Sequence, residues 1–181
     1  MASKAISKML GFSFQITPLA NSVIPIKKIP FLVGEEAMGI TLGMYISFSG
    51  DLVGHIVLLL GTESALSLSD MLLERAVGGT KSLEAEELDA LMEIHNVISG
   101  FFIGAISDHY GMDVQLTSPV SVMDTGPAIL DEILVNLSLE SDDTLVIETT
   151  FSQAADHGGP VRGYYLILPN LTSIKKMFGQ L

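Results

Sequence analysis

The amino-acid sequence predicts a single α+β domain with internal pseudo-symmetry. Apolar segments with the two-residue period of strands alternate along the chain with segments of helical period. No serine- or glycine-rich linker divides the chain, so we expect one domain over residues 1–181. We interpret a repeat as a duplicated helix–strand unit. Its six residues recur 100 positions later: Ala5, Ile6, Ser7, Gly11, Gln15 and Thr17 return as Ala105, Ile106, Ser107, Gly111, Gln115 and Thr117.

The N-terminal half is predicted to contain mostly strands. In order, the expected elements are a helix remnant over 4–10, edge or bent strands within 12–32, strands over 38–47 and 52–60, and a helix over 62–77. Prolines at positions 18, 25 and 30 limit the first strands to edges or bends. The sequence Ser49-Gly50-Asp51 predicts a hairpin turn. Alternate apolar residues should share one face of the first hairpin strand: Ile40, Leu42, Met44, Ile46 and Phe48.

The C-terminal half begins with the longest predicted helix. The expected elements are a helix over 83–110, a strand over 112–123, a helix over 127–139, strands over 144–151 and 161–168, and a helix over 171–178. Gly111 is expected to end the long helix, because glycine adopts the left-handed conformation that commonly follows a helix. Pro127 suits the first turn of its helix, where no N–H is needed.

Composition excludes several classes of function. The 21 acidic and 9 basic residues give a net charge of −12, which disfavours nucleic acid and anionic membrane and favours partners with basic surfaces. The absence of cysteine excludes disulfides and thiolate chemistry. The most apolar segments, 97–106 and 55–60, are shorter than the roughly 20 residues of a membrane span. We therefore expect a cytoplasmic protein without membrane insertion. The four scattered histidines, expected to be solvated or capped, predict no metal site.

The long helix should carry a polar stripe opposite its apolar face. At 100° per residue, the stripe contains Asp89, Glu93, Asn96, Gly100 and Ser107. The opposite, packed face is expected to contain Leu91, Ile94, Ile98, Phe101 and Ala105. A solvated polar face is the simplest interpretation. Asparagine and glycine are poor helix formers, however, and folding gives no reason to place both on an exposed face. A glycine also lets another backbone approach closely, so the stripe predicts a docking surface with a carboxamide at its centre.

Four residues of this region carry a family resemblance. Asp89, Glu93, Asn96 and Pro119 match the pattern D/S-x3-E-x2-N-x22-P, and the chain thereby resembles the CheC, CheX and FliY phosphatases, CheC most of all. Residues 48–52 and 129–133 extend the likeness over nearly the whole chain. The resemblance implies long motif helices packed on a mainly antiparallel β-sheet, related by internal pseudo-symmetry.

The resemblance also implies an activity, the hydrolysis of the aspartyl phosphate on a CheY-type response regulator. In that mechanism Glu93 pairs with a lysine of the receiver, Asn96 orients the attacking water, and Asp89 supports them. Gly100 and Pro119 are expected to support docking. No cofactor of its own is expected, and the magnesium belongs to the receiver. An acyl phosphate is already activated, so placing a water in line and completing the electrostatics are enough.

The sequence departs from the two-motif CheC pattern in its first repeat. That repeat has no Glu-x-x-Asn, and Leu19, with Pro18 one place earlier, occupies the position equivalent to Pro119. One active centre is therefore expected, on a truncated pattern. The alternative function is a non-catalytic binding module, either a flagellar-switch scaffold like the FliM middle domain or an adaptor for a CheD-like deamidase.

Overall fold

The structure, a computed structural model, describes residues 14–34, 37–138, 142–153 and 161–178. Within these ranges the strands are β1 (Phe14–Pro25), β2 (Ile40–Gly50), β3 (Gly54–Gly61), β4 (Val114–Leu116), β5 (Val120–Thr125), β6 (Asp143–Gln153) and β7 (Arg162–Pro169). The helices are a 3-10 helix (Ile26–Phe31), α1 (Thr62–Leu72), α2 (Ala85–Tyr110), α3 (Gly126–Ser138) and α4 (Leu171–Phe178). The predicted α+β class is confirmed.

The sheet combines strands from the two halves of the chain in a symmetric way. The sheet runs β1-β6-β7-β3-β2-β4, with β5 also paired to β2, and every pairing is antiparallel. The hairpins β2–β3 and β6–β7 meet at the centre, and the outer strand of each pairs with a strand from the other half of the chain. This exchange confirms the predicted pseudo-symmetry. The repeat residues at 5–11 lie outside the described residues, so their superposition on 105–111 stays a prediction.

Helices cover both faces of the sheet, and each face has its own core. On one face α1 and α2 pack over β2, β3 and β7, through buried side chains that include Leu42, Met44, Leu68, Ile94 and Ile98. On the other face the 3-10 helix and α3 pack through Ile29, Val57, Ile129, Leu130 and Leu166. Because the central strands bury both faces, their sequences are almost continuously apolar.

Helix α1 ends at Leu72, five residues before the predicted end at Val77. The fully buried carboxylate of Asp70 explains the difference, because it accepts hydrogen bonds from the backbone N–H groups of Gly78, Gly79 and Thr80 at 2.8, 3.1 and 3.0 Å. These contacts hold residues 73–80 in a loop. The side chain of a helical residue thus pairs with the backbone N–H groups of the following loop, and this favours the loop over a longer helix.

Two predicted strand segments are interrupted. The strand expected over 112–123 is divided into β4 and β5 on either side of Thr117–Pro119, consistent with the missing N–H of proline. The segment expected over 12–32 is strand only to Pro25 and then becomes the 3-10 helix. The helix predicted over 4–10 lies outside the described residues.

Candidate functional site

Helix α2 carries the predicted motif and is fixed at both ends. At its start the Glu84 N–H donates to Glu87 Oε2 at 2.9 Å within a capping box. Arg75 donates to Glu87 Oε1 at 2.5 Å and to Glu86 Oε2 at 2.6 Å, and the hydrogen bond from Arg75 lowers the pKa of Glu87. At its end Gly111 adopts the left-handed conformation with φ 65°, as predicted. The motif therefore lies in the middle of a well-capped helix.

The buried face of α2 differs in part from the predicted one. Leu91, Ile94 and Ile98 are buried as expected, but Phe101 is 42% exposed and Ala105 is also exposed. The neighbouring Phe102 packs inward instead, because its ring stacks on Tyr165 of β7 with 5.3 Å between the centroids. In its second half, α2 therefore turns a different side to the sheet from the one that its own sequence predicts, with Phe102 in place of Phe101.

Helix α2 is also strongly apolar for its length. An 18-residue window within Ala85–Tyr110 has a mean hydropathy of 1.4, although a third of it is buried inside the protein. By length and composition alone the helix could cross a membrane. Packing on the sheet accounts for its buried apolar residues, and charged side chains lie along its other face.

The opposite side of α2 presents the predicted stripe. Asp89, Glu93 and Gly100 are exposed, and Asn96 is half-buried at the edge of the same face. A Cβ atom built on Gly100 would meet nothing within 4 Å. Among the described residues, no hydrogen bond or ion pair engages the side chains of Asp89, Glu93 or Asn96. With respect to the described residues, these groups are therefore available to a partner.

Ser107, the last member of the predicted stripe, is placed differently. It is half-buried, and its hydroxyl oxygen is buried without a hydrogen-bond partner among the described residues. The exposed stripe therefore extends from Asp89 to Gly100, about three turns of helix.

Pro119 lies in the segment that joins β4 to β5, and both strands contact α2. Thr117, two residues before Pro119, is fixed on β2. Its N–H donates to Ser47 O at 2.9 Å, and its Oγ1 accepts from the Ser47 N–H at 3.1 Å.

A buried polar cluster lies beneath the stripe, where the sequence predicted solvated or capped histidines. His95 is fully buried, its ring lies edge-on to Tyr165, and neither ring nitrogen has a hydrogen-bond partner among the described residues. Burial lowers the pKa of His95 to about 3. The hydroxyls of Ser99 and Tyr165 share a buried hydrogen bond of 2.9 Å. The four-residue spacing of His95 and Ser99 was the only signal of this cluster in the sequence.

The stripe offers recognition and positioning chemistry rather than a nucleophile. Two exposed carboxylates can accept a cationic side chain, and a carboxamide can both donate and accept hydrogen bonds. No group of histidine and acidic side chains suitable for a metal occurs in the part of the chain that the structure describes. His55, one of the other histidines, shares a hydrogen bond of 3.0 Å with Ser47 Oγ through its Nδ1.

The fold is shared with solved structures of proteins named FliY, CheX and FliM. FliY of Thermotoga maritima superposes with a TM-score of 0.71 at 17% identity, over 98% of this chain and 86% of that one. CheX of Borrelia burgdorferi, solved in complex with CheY, BeF3 and Mg, superposes at 0.55 with 15% identity, over 92% of both chains. The middle domain of FliM from Vibrio alginolyticus superposes at 0.59 with 12% identity, over 97% and 92% of the two chains.

The sequence identifies the family. The model of the family described as chemotaxis phosphatase CheX matches residues 42–139, more than half of the chain, and the protein therefore belongs to that family. The CheY-P phosphatase CheC of Bacillus subtilis is 23% identical over 143 residues, which cover 75% of this chain. The match spans 65% of the length of that relative.

Proposed function

We propose that this protein is a cytoplasmic phosphatase that hydrolyses the aspartyl phosphate of a CheY-type response regulator. The observation that carries the proposal is the placement of an exposed Glu93 and a half-buried Asn96 one turn later on a fixed helix, neither side chain being hydrogen-bonded to any residue that the structure describes. The family description supports the reaction, and the name of the B. subtilis relative supports the substrate. The B. burgdorferi CheX structure supports a CheY-type partner that carries the magnesium.

In the proposed mechanism Glu93 accepts a lysine of the receiver and fixes the register of the complex. Asn96 then holds a water in line with the aspartyl phosphate. A neutral carboxamide does this without repelling the phosphoryl oxygens, whereas a carboxylate at the same place would repel them. Asp89 adds negative charge beside Glu93, Gly100 allows the backbone of the receiver to approach, and Pro119 shapes the edge of the site.

A second candidate function is a non-catalytic scaffold, favoured by the structural similarity to the FliM middle domain. A scaffold has no use for the Glu93–Asn96 pair, and this is why we prefer the phosphatase. An adaptor for a CheD-like protein is a further form of this second candidate. The adaptor would bind the CheD-like protein without a receiver, and it would not change the lifetime of the phosphoryl group on the receiver.

The test is phosphate release from a phosphorylated receiver with and without the protein, beside the variants Glu93→Gln and Glu132→Gln. Glu132 is an exposed glutamate on α3, on the other face of the sheet, and serves as the matched control. We expect the parent to accelerate release and Glu93→Gln to weaken receiver binding, more at low salt than at high salt, while Glu132→Gln leaves both unchanged. A parent protein that leaves the receiver's own rate unchanged would establish the scaffold instead.

A further inference from the structure

The exposed face of α2 carries one carboxylate more than the two of the motif. Glu86 precedes Asp89 by three residues and Glu93 by seven, so the three side chains follow one another along one face of the helix. All three residues are exposed, and we call them the acidic row. Two turns of helix, about 10.5 Å, separate Glu86 from Glu93. The row therefore offers a partner's cation two places to dock, and only the place at Glu93 is adjacent to Asn96.

Arg75 occupies the end of the acidic row that lies farther from Asn96. Its Nη2 donates to Glu86 Oε2 at 2.6 Å. Asp89 and Glu93 have no such partner among the described residues. Helix α2 contains no lysine or arginine of its own, so the compensating charge comes from the loop that precedes it.

The guanidinium group of Arg75 is held in place independently of Glu86. The Glu86 side chain is 68% exposed, and an exposed ion pair alone is weak and screened by salt. Glu87 holds the same guanidinium through Nη1 at 2.5 Å, and its side chain is only 7% exposed. Nη1 also donates to Thr80 Oγ1 at 3.3 Å, and the Arg75 N–H donates to Asp70 O at 2.7 Å. The positive charge therefore stays beside Glu86.

We propose that Arg75 is a positioning residue that sets the register in which the receiver docks on α2. This inference rests on the proposed function. Arg75 neutralises Glu86 and repels a further cation from the start of the helix. Asp89 and Glu93 are left to attract the receiver's lysine, which then docks one turn before Asn96. Docking at Glu86 instead would shift the receiver by about 10.5 Å along the helix and leave its phosphoryl group out of reach of Asn96.

The experiment uncovers Glu86 without changing the net charge of the protein. The double variant Arg75→Gln/Glu87→Gln removes one cation and one buried carboxylate together, and glutamine at position 87 still serves the capping box with Glu84. The constants kcat and KM are measured with a phosphorylated CheY-type receiver. A receiver bound at Glu86 is unproductive, and unproductive binding lowers kcat and KM by the same factor. With the two registers about equally populated, both constants fall about twofold while kcat/KM stays at the parental value.

A triple variant separates positioning from a structural role. Addition of Glu86→Gln to the double variant removes the competing carboxylate, while the contacts of Arg75 with α2 remain absent. We expect kcat and KM to return to the parental values. Glu86→Gln alone is the matched control and should behave like the parent, because Arg75 already pairs with Glu86 there. A loss of activity that the triple variant does not restore would overturn the inference, since Arg75 would then only stabilise the start of the helix.

Binding measurements distinguish a failure of this inference from a failure of the proposed function. The affinity for a CheY-type receiver activated with beryllium fluoride and Mg²⁺ is compared with and without Glu93→Gln, in the parent and in the double variant. We expect Glu93→Gln to weaken binding less in the double variant, because Glu86 then offers the lysine another carboxylate. Equal losses would overturn the inference and leave the phosphatase standing. The expected unequal losses in a protein that does not accelerate phosphate release would support the register and overturn the proposed activity.

Discussion

Ser99 and Tyr165 join the motif helix to the sheet through a buried hydrogen bond of 2.9 Å between their hydroxyl groups. Tyr165 also stacks on Phe102 and meets the edge of His95, so three residues of α2 contact one side chain of β7. These contacts fix the rotation of α2 about its axis. They thereby determine that Glu93 and Asn96 face outwards.

Removal of the Tyr165 hydroxyl should weaken this anchor. Tyr165→Phe leaves the buried Ser99 hydroxyl without its partner, and we expect a loss of about 1–3 kcal/mol in the free energy of unfolding. Urea unfolding of Tyr165→Phe, Ser99→Ala and the double variant measures the coupling. The double variant should lose less than the sum of the two single losses, and strict additivity would show that the hydroxyls do not interact.

His95 should make folding stability depend on pH. Its pKa is about 3 in the folded protein, whereas the ordinary value is 6.5. Between these values the unfolded chain binds a proton that the folded protein does not, so stability falls with decreasing pH by up to about 1.4 kcal/mol per pH unit. His95→Met should remove this contribution and should be at least as stable as the parent at neutral pH, because it eliminates two buried nitrogens that have no hydrogen-bond partner among the described residues.

The measurement is urea unfolding of parent and His95→Met at several pH values between about 7 and about 5. Other groups with lowered pKa values, such as Asp70 and Glu87, are present in both proteins and cancel in the difference. Identical pH dependence of the two proteins would show that His95 is accessible to protons in the folded state.

Gly100 offers a test that separates stability from docking. Alanine at this position meets open space in the free protein, and Gly100→Ala should raise the free energy of unfolding by up to about 1 kcal/mol. The same variant should bind the receiver less tightly, because the added methyl group keeps the partner's backbone away. Gly104→Ala has equally open surroundings one turn further from Asn96 and should stabilise the helix with a smaller effect on affinity. Parental affinity of Gly100→Ala would remove Gly100 from the interface.

Local signals predicted much of the fold. The expected helix over 83–110 corresponds to Ala85–Tyr110 because its periodicity and the terminal Gly111 act within a few residues. The end of α1 was missed because a buried carboxylate takes the backbone donors of a loop that follows it. The rotation of α2 was missed because Tyr165, which determines it, is 66 residues distant from Ser99 in sequence.

The candidate site was predictable to a similar degree. The spacing of Asp89, Glu93 and Gly100 placed them on one exposed face, since helical geometry alone decides this, while Asn96 at the edge of that face is half-buried. The burial of His95 could not be read from a single helix, because the sheet beneath it comes from distant segments. Ile40, the first residue of the predicted apolar row on β2, is 60% exposed, which likewise depends on where a helix stops covering the strand.

The most direct test is the variant Asn96→Ala, assayed for dephosphorylation rate, receiver affinity and melting temperature in the same preparation. Asn96 is proposed to hold the attacking water, a contact made mainly in the transition state. We therefore expect turnover to fall about 100-fold to 1000-fold while receiver affinity stays near that of the parent. The melting temperature should not fall, because Asn96 makes no side-chain hydrogen bond among the described residues and alanine favours the helix. Parental turnover by a folded Asn96→Ala would contradict the proposed mechanism.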